Sequence, residues 1–230
     1  MLWEQVTYID ESDMCLPDHL ATLFMEHSQK VTKASKQTLI SQSDVSNDVF
    51  YIANGNVKVS ILAPNSKEYT FREIGPGNLI GELAALDGGK RSVMVISITD
   101  TLFYKMPQGT FKKLLEQNEE LSEHITLNLV KRVRNLSEQV FELSTMNVRC
   151  RILLDLIRRA KKGALEDGSA TFNLPKDQMK VATALATHRE AISREYSAFA
   201  KNGLIKKNNE HILVPSIEKL ETLLSNLIGL

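Results

Sequence analysis

One segment, GELAALDGGKRS at residues 81–92, places an acid and a base on either side of a short apolar run. Glu82 follows a glycine, and Arg91 and Ser92 close the segment. An arginine binds a phosphodiester through charge-assisted hydrogen bonds, whereas a carboxylate would repel phosphate and accept from a hydroxyl instead. The pattern therefore predicts a site for a ligand with an anion and a sugar hydroxyl. The alternative interpretation is a loop with a surface ion pair.

The segment lies in a region with the periodicity of strands. Residues 35–106 contain short alternating apolar runs, such as DVFYIANGNVKVSIL, separated by Asn-Gly, Pro-Gly and Gly-Gly turns. The Asn54-Gly55-Asn56 sequence is typical of a hairpin. Many short strands with regular turns predict a small all-β sandwich or barrel.

A helical region follows at residues 107–162. A short helix, 108–118, precedes residues 121–143, which contain no Gly or Pro. Thr126 begins a heptad pattern that continues through Leu129, Val133, Leu136, Val140 and Leu143. Such a narrow stripe favours a parallel two-helix dimer, and the alternative is a helix packed on its own domain. We expect Asn147 to end this helix and a new helix to run to Gly163.

The last part of the chain has the pattern of a winged helix-turn-helix. After a linker at 164–175 come two helices, a Gly203 stop and a two-stranded wing around Asn208-Asn209. We expect the first helix to bury Met179, Val181 or Ala182, and Leu185. Thr187 and Glu190 have the spacing of a capping box that begins the second helix. That second helix would bury Ile192, Tyr196 and Phe199.

The second helix would present charged residues to a DNA groove. Arg donates two hydrogen bonds to guanine, and Glu accepts from cytosine. The candidate base-reading residues are His188, Arg189, Glu190 and Arg194, and the candidate phosphate contacts are Lys176, Lys201, Lys206 and Lys207. A solvated charged face is the alternative.

The bulk composition narrows the function classes. The formal net charge is zero, but residues 141–230 carry 14 Lys+Arg and 10 Asp+Glu, so this part is basic. Two distant cysteines, no signal-peptide pattern and no long apolar run predict a reducing cytoplasm and no membrane span. No metal-ligand cluster or nucleophile–base pair is evident, so we expect neither a metal site nor an enzyme.

The chain resembles the family of the cyclic-AMP receptor protein and the fumarate–nitrate regulator. Residues 81–92 are similar to the phosphate-binding cassette G-E-[LA]-A-x(6)-R-[AST], and KRVRNLSEQV and HREAISR are similar to the family's dimer helix and recognition segment. The resemblance implies an α+β fold. A β-roll with a long dimer helix would occupy residues 1–146, and a winged helix-turn-helix domain would occupy residues 147–230.

The resemblance also implies roles for individual residues. Gly81 and Leu83 would offer backbone groups, Glu82 would accept from the ribose 2′-hydroxyl, and Arg91 and Ser92 would bind the cyclic phosphate. From the long helix, Arg132 would reach toward Glu82 and the phosphate, and Ser137 of the partner subunit would contact the adenine amino group. Leu136 stands where the receptor protein has threonine, and this difference leaves the base selectivity open. We expect cyclic AMP as the ligand, and cyclic GMP is the alternative.

Finally, the resemblance implies a homodimer that binds a palindrome with TGTGA-like half-sites and contacts RNA polymerase. Arg189, Glu190 and Arg194 would inherit the base contacts, and His188 replaces a common serine. Two other hypotheses remain. The same fold could sense haem with a gas, a metabolite, or redox state through Cys15 or Cys150. A nucleotide-binding enzyme or regulatory protein without a DNA role is the second.

Overall fold

The structure is a computed structural model that describes residues 14–63, 68–174, 178–208 and 210–229. The chain separates into two compact units, with the boundary between Asn135 and Leu136. The expected domain limits, 1–146 and 147–230, stay a prediction. The expected α+β fold is confirmed.

The first unit is built on two four-stranded antiparallel sheets, with the orders β1-β8-β3-β6 and β2-β7-β4-β5. Because successive side chains of a strand point to opposite faces, β3 directs Phe50 and Ile52 into one core and Val49 into another. A core that includes Ile52, Val59 and Phe103 draws on both sheets. The strands are β1 Gln29–Lys33, β2 Thr38–Ile40, β3 Val49–Asn54, β4 Val57–Leu62, β5 Glu68–Ile74, β6 Leu79–Ile80, β7 Met94–Ser97 and β8 Thr101–Met106.

The predicted hairpin at Asn54-Gly55-Asn56 is wrong. Strand β3 pairs with β6 and β8, whereas β4 pairs with β5 and β7, so the turn connects two different sheets. Gly55 has φ +86°, and a Cβ there would lie 2.6 Å from the carbonyl oxygen of Asp100. The glycine thus permits a close approach of another backbone segment, and this contact is not encoded in the turn itself.

Four helices complete this part of the chain: α1 Asp18–Glu26, α2 Glu82–Asp87, α3 Gln108–Gln117 and α4 Glu119–Thr145. A second core, centred on Phe24, Phe111 and Leu121, packs α1, α3 and the start of α4 against the roll. Helices α1 and α2 were not predicted. Helix α4 extends two residues beyond the predicted span at each end.

The second unit contains α5 Val148–Lys162, β9 Ala170–Asn173, α6 Gln178–Ala184, α7 Arg189–Lys201, β10 Lys206–Lys207, β11 His211–Val214 and α8 Ile217–Ile228. Helix α4 ends at Thr145 rather than at Asn147, and Asn147 instead caps α5 by accepting from the N–H of Cys150. Gly163 ends α5 as expected. The supposed linker contains β9, so the wing is a three-stranded sheet of order β10-β11-β9. Helix α8 was not predicted. Lys176 and Asn209 lie outside the described residues.

The predicted capping box is also wrong. The backbone N–H of Thr187 bonds to Ala182 O, so Thr187 belongs to the turn that ends α6. His188 becomes the N-cap of α7 without a side-chain hydrogen bond. The buried hydroxyl of Thr187 has no hydrogen-bond partner among the described residues. The buried residues are as expected: Val181, Ala182, Leu185, Ile192, Tyr196 and Phe199. The side chain of Met179 is not described.

Candidate ligand site and nucleic-acid interface

Gly81 shapes the candidate ligand site because it forms the N-cap of α2 in a left-handed conformation, with φ +85°. A Cβ at this position would lie 2.6 Å from Nη1 of Arg91 and 2.9 Å from the carbonyl oxygen of Asp48. Only glycine therefore lets the turn approach the arginine this closely. Strand β6 leads into Gly81, and α2 begins at Glu82, so the sheet edge positions both residues.

The guanidinium of Arg91 is buried, with the residue 4% exposed. Its Nε donates to Ser46 Oγ at 3.2 Å, Nη1 to Gly81 O at 2.8 Å and Nη2 to Asp48 O at 2.7 Å. These bonds use three of the five N–H donors of the group, and each terminal nitrogen keeps one. The arginine is thus held in a fixed orientation before any ligand arrives.

Burial lowers the pKa of Arg91, and the negative charges of Asp48, Asp44 and Glu82 oppose this shift. An arginine nevertheless keeps its charge in proteins. The site therefore contains a desolvated cation, which binds an anion more strongly than a solvated one does.

A loop that the sequence pattern does not predict holds Arg91. Beyond the side-chain bonds, the N–H of Arg91 donates to Asp44 O at 2.9 Å, and the N–H of Ser43 donates to Arg91 O at 2.8 Å. Ser46 and Asp48 belong to the same loop, between β2 and β3. The polar run SQSDVSND before an apolar strand is the only local signal, and it indicates a loop without indicating its contact.

Glu82 is the second buried charge, 5% exposed. Its Oε1 accepts a hydrogen bond from Nη1 of Arg132 on α4. The Nε of Arg132 is buried without a hydrogen-bond partner among the described residues. Both side chains line a cavity of about 20 Å³, the space of about one water molecule. Its other lining residues are Met14, Leu16, Asn78, Leu79, Ile125, Asn128 and Leu129.

The structure therefore gathers four of the seven predicted ligand residues, namely Gly81, Glu82, Arg91 and Arg132. Leu83 is 46% exposed, and Ser92 is also exposed. Ser137 is exposed on α4 and belongs to the second unit. The roles of all seven residues stay predictions.

Helix α7 carries the candidate nucleic-acid interface. Its apolar side, with Ile192, Tyr196 and Phe199, is buried in the core of the second unit. The exposed side presents the predicted DNA-contacting residues His188, Arg189, Glu190, Arg194 and Lys201, and Lys206 and Lys207 are exposed on the wing. A helix with one buried face and a cationic exposed face can enter a DNA groove.

Arg151 on α5 holds the turn that precedes α7. Its Nε donates to Leu185 O at 3.0 Å, and its Nη2 donates to Ala186 O at 3.3 Å. Arg151 is 8% exposed, and its buried guanidinium satisfies backbone carbonyl groups at the end of α6. No local sequence pattern predicts this role of Arg151.

The heptad stripe of α4 is divided. Leu129 packs against the core of the first unit. The next four positions are exposed, with Val133 at 62%, Leu136 at 60%, Val140 at 63% and Leu143 at 49%. A row of exposed apolar side chains this long is uncommon on a monomer surface.

Taken together, the chain combines a β-roll that buries an arginine and a glutamate with a winged helix-turn-helix unit. Residues 30–118 match the cyclic nucleotide-binding domain family, and residues 150–223 match the Crp-like helix-turn-helix domain family. The chain belongs to the family of the cyclic-AMP receptor protein and the fumarate–nitrate regulator. It is a DNA-binding transcription regulator with a cyclic-nucleotide-binding domain, and it is not an enzyme.

Individual relatives agree with this assignment. The CRP-like cAMP-activated global transcriptional regulator of Mycobacterium tuberculosis is 24% identical over 205 residues, which cover 89% of this chain and 91% of the relative. Among solved structures, CprK complexed with OCPA has a TM-score of 0.77 at 17% identity, covering 88% and 94% of the two chains. A CooA variant from Carboxydothermus hydrogenoformans has a TM-score of 0.74 at 19% identity, covering 92% and 99%. These two structures are similar in fold.

No helix within the described ranges is long and apolar enough to cross a membrane. Likewise, the described part of the chain contains no cluster of three or more His, Cys, Asp or Glu side chains that could hold a metal ion.

Proposed function

We propose that this protein is a homodimeric transcription regulator that cyclic AMP controls. The observation that carries the proposal is the fixed arginine of the cassette, because Arg91 is buried, charged and held by Gly81 O and Asp48 O. Each terminal nitrogen keeps one N–H, which suits a single phosphodiester anion. The relative from Mycobacterium tuberculosis, described as cAMP-activated, supports the same ligand.

The second end of the ligand would be the ribose. A carboxylate has about four acceptor positions, and the hydrogen bond from Arg132 engages only Oε1 of Glu82. The other oxygen can accept from the 2′-hydroxyl. The buried Nε of Arg132 has no hydrogen-bond partner in the described part of the chain, which supports a ligand oxygen close to this residue. Leu83 and Ser92 would contribute backbone and hydroxyl contacts, and Ser137 of the partner subunit would contact the base.

The exposed apolar row of α4 supports the homodimer. Two copies of α4 would bury Val133, Leu136, Val140 and Leu143 against each other. The two α7 helices would then enter successive major grooves, about 34 Å apart, and bind TGTGA-like half-sites in a palindrome. Arg189, Glu190 and Arg194 would contact bases, and Lys201 would contact phosphate. RNA polymerase as a partner, and the cytoplasm as the location, follow from this role.

Control by the ligand requires that cyclic AMP bind the DNA-competent arrangement more tightly than the other arrangement. The free energy of that difference is the most that the ligand can contribute to DNA affinity. Absence of any differential affinity would remove the regulatory part of the proposal while leaving the DNA-binding part intact.

The decisive experiment is a calorimetric titration of the protein with cyclic AMP and then with cyclic GMP, followed by a DNA-shift assay with and without cyclic AMP. We expect cyclic AMP to bind and to strengthen DNA binding. Arg91→Ala should lose both responses, and circular dichroism checks that this variant is folded. DNA affinity should fall steeply with salt, because Lys and Arg contacts release counterions from DNA.

A regulator with a different effector is the second candidate. Arg91 donates three of its five N–H groups to the protein, which leaves less for a phosphate than a free guanidinium would offer. The fold is also similar to that of CprK, whose solved structure is complexed with OCPA. No heat with either cyclic nucleotide, together with intact DNA binding, would favour this candidate.

A further inference from the structure

A buried ion pair connects the end of α4 to the third turn of α5. Oε1 of Glu142 lies 2.5 Å from Nη2 of Arg158, and the two side chains are only 9% and 16% exposed. Both residues belong to the second unit, and neither belongs to the ligand or DNA sites described above. Removing either partner weakens the compensation of the other buried charge, so the ion pair favours the arrangement of the two helices in which these charges meet. The carboxylate of Glu138 also interacts with Arg158.

The junction between these helices is short. Helix α4 ends at Thr145 and α5 begins at Val148, so two residues connect them. Met146 O accepts from Nη1 of Arg151 at 2.6 Å, and the side chain of Asn147 caps α5. These hydrogen bonds hold the backbone of the junction, which we call the pivot. A contact farther along the helices is then needed to fix the angle between them.

Arg158 lies ten residues beyond the start of α5. At 1.5 Å of rise per residue, the backbone of Arg158 lies about 15 Å from the start of α5, and that of Glu142 lies about 5 Å from the end of α4. A rotation of α5 about the junction displaces Arg158 more than it displaces residues near the start of α5. The pair with Glu142 therefore opposes that rotation. The Glu142–Arg158 pair is thus placed as a brace across the angle.

Helix α5 in turn contacts the DNA-reading helix. Arg149 forms an ion pair with Glu195 at 3.5 Å and lies over the ring of Phe199, and both partners belong to α7. We infer that the Glu142–Arg158 brace sets the direction in which α7 projects from the last turns of α4. The brace would thereby determine which separation of DNA half-sites the dimer accepts. This inference rests on the proposed dimer and its DNA binding, but not on cyclic AMP.

The test uses Glu142→Gln and Arg158→Gln singly, and the double variant Glu142→Arg with Arg158→Glu, which restores a pair with reversed charges. The matched control, Lys161→Gln with Glu221→Gln, removes a 2.7 Å ion pair between α5 and α8. DNA affinity is measured on duplexes with two inverted TGTGA half-sites whose spacer changes by one base pair at a time. Amide hydrogen exchange of the full chain is followed in parallel at the junction.

We expect wild type to prefer one spacer, and each single variant to reduce that preference by about fivefold or more. Exchange should accelerate at residues 143–150 in the single variants, while the control leaves both readouts within about twofold of wild type. The charge-reversed variant should regain the spacer preference and the protection. Melting temperatures distinguish a general loss of stability from a change in the orientation of α7.

Single variants that melt earlier yet keep the wild-type spacer profile and junction exchange would overturn the inference. The inference also fails if the control variant accelerates amide exchange at residues 143–150 as much as the single variants do. If wild type binds none of the duplexes, the proposed half-site is wrong, and the exchange result alone then decides the inference about the brace.

Discussion

The sharpest prediction concerns the contact between Glu82 and the ribose of the ligand. Two changes are combined, namely Glu82→Ala in the protein and removal of the 2′-hydroxyl from the ligand as 2′-deoxy cyclic AMP. If the free oxygen of the carboxylate accepts from that hydroxyl, either change removes the same hydrogen bond. Making both changes should then cost no more than making one.

The magnitude follows from the burial of the group. Glu82 is 5% exposed, so water competes little with a hydrogen bond from a ligand hydroxyl to this carboxylate. A hydrogen bond to a charged group contributes about 1.5–3 kcal/mol, which is about 10- to 150-fold in affinity. Wild type should therefore prefer cyclic AMP over its 2′-deoxy analogue by that factor. The Glu82→Ala variant should bind both ligands with affinities equal to within about threefold.

Isothermal titration calorimetry at fixed salt measures all four affinities. Loss of Glu82 should also lower the free energy of unfolding by about 1–2 kcal/mol, because it leaves Arg132 without its partner. Glu68→Ala is the matched control, since Glu68 is a carboxylate of the same roll that pairs with Lys58 and should leave the preference unchanged. Equal affinity of wild type for both ligands, or a preference that survives Glu82→Ala, would refute the assigned role.

Three further predictions address neighbouring parts of the molecule. Gly81→Ala should destabilise the protein by about 1–3 kcal/mol in denaturant unfolding and weaken nucleotide binding, because its Cβ would meet a guanidinium at 2.6 Å in a left-handed turn. Hydrogen bonds from the side chain and then from the N–H of Ser46 lower the pKa of Asp44. Ser46→Ala removes the first of these bonds, so an NMR titration should show a higher pKa for Asp44. The stability that the ionised Asp44 contributes should then be lost at a higher pH as the solution is acidified. In DNA-binding assays, Arg194→Ala should cost about 1–3 kcal/mol on the matching half-site alone, whereas Lys201→Gln should weaken all sequences alike and reduce the salt slope by about 1. An unchanged free energy of unfolding in Gly81→Ala would contradict the first prediction, and an unchanged pKa of Asp44 in Ser46→Ala the second. An unchanged half-site preference in Arg194→Ala would contradict the third.

The sequence by itself determined the order of the parts. Strand alternation, the Gly- and Pro-free helix and the break before Arg189 are local patterns, and each depends on residues close together in the chain. The same holds for the cassette of residues 81–92, whose acid, base and glycine lie within one segment. The exposed face of α7 was predictable for the same reason, because its burial period is that of an ordinary helix.

Only the tertiary structure decided which groups hold the charged residues. The carbonyl of Asp48 fixes Arg91 from 43 residues away, and a carbonyl carries no residue-type signal in a sequence. Gly55 was misread as a hairpin because sheet membership depends on long-range pairing rather than on the turn. Glu142 and Arg158 are ordinary helix-surface residues in the sequence. They become a buried pair only in the folded chain, because they lie 16 residues apart on two different helices, so their burial is not a property of either helix alone.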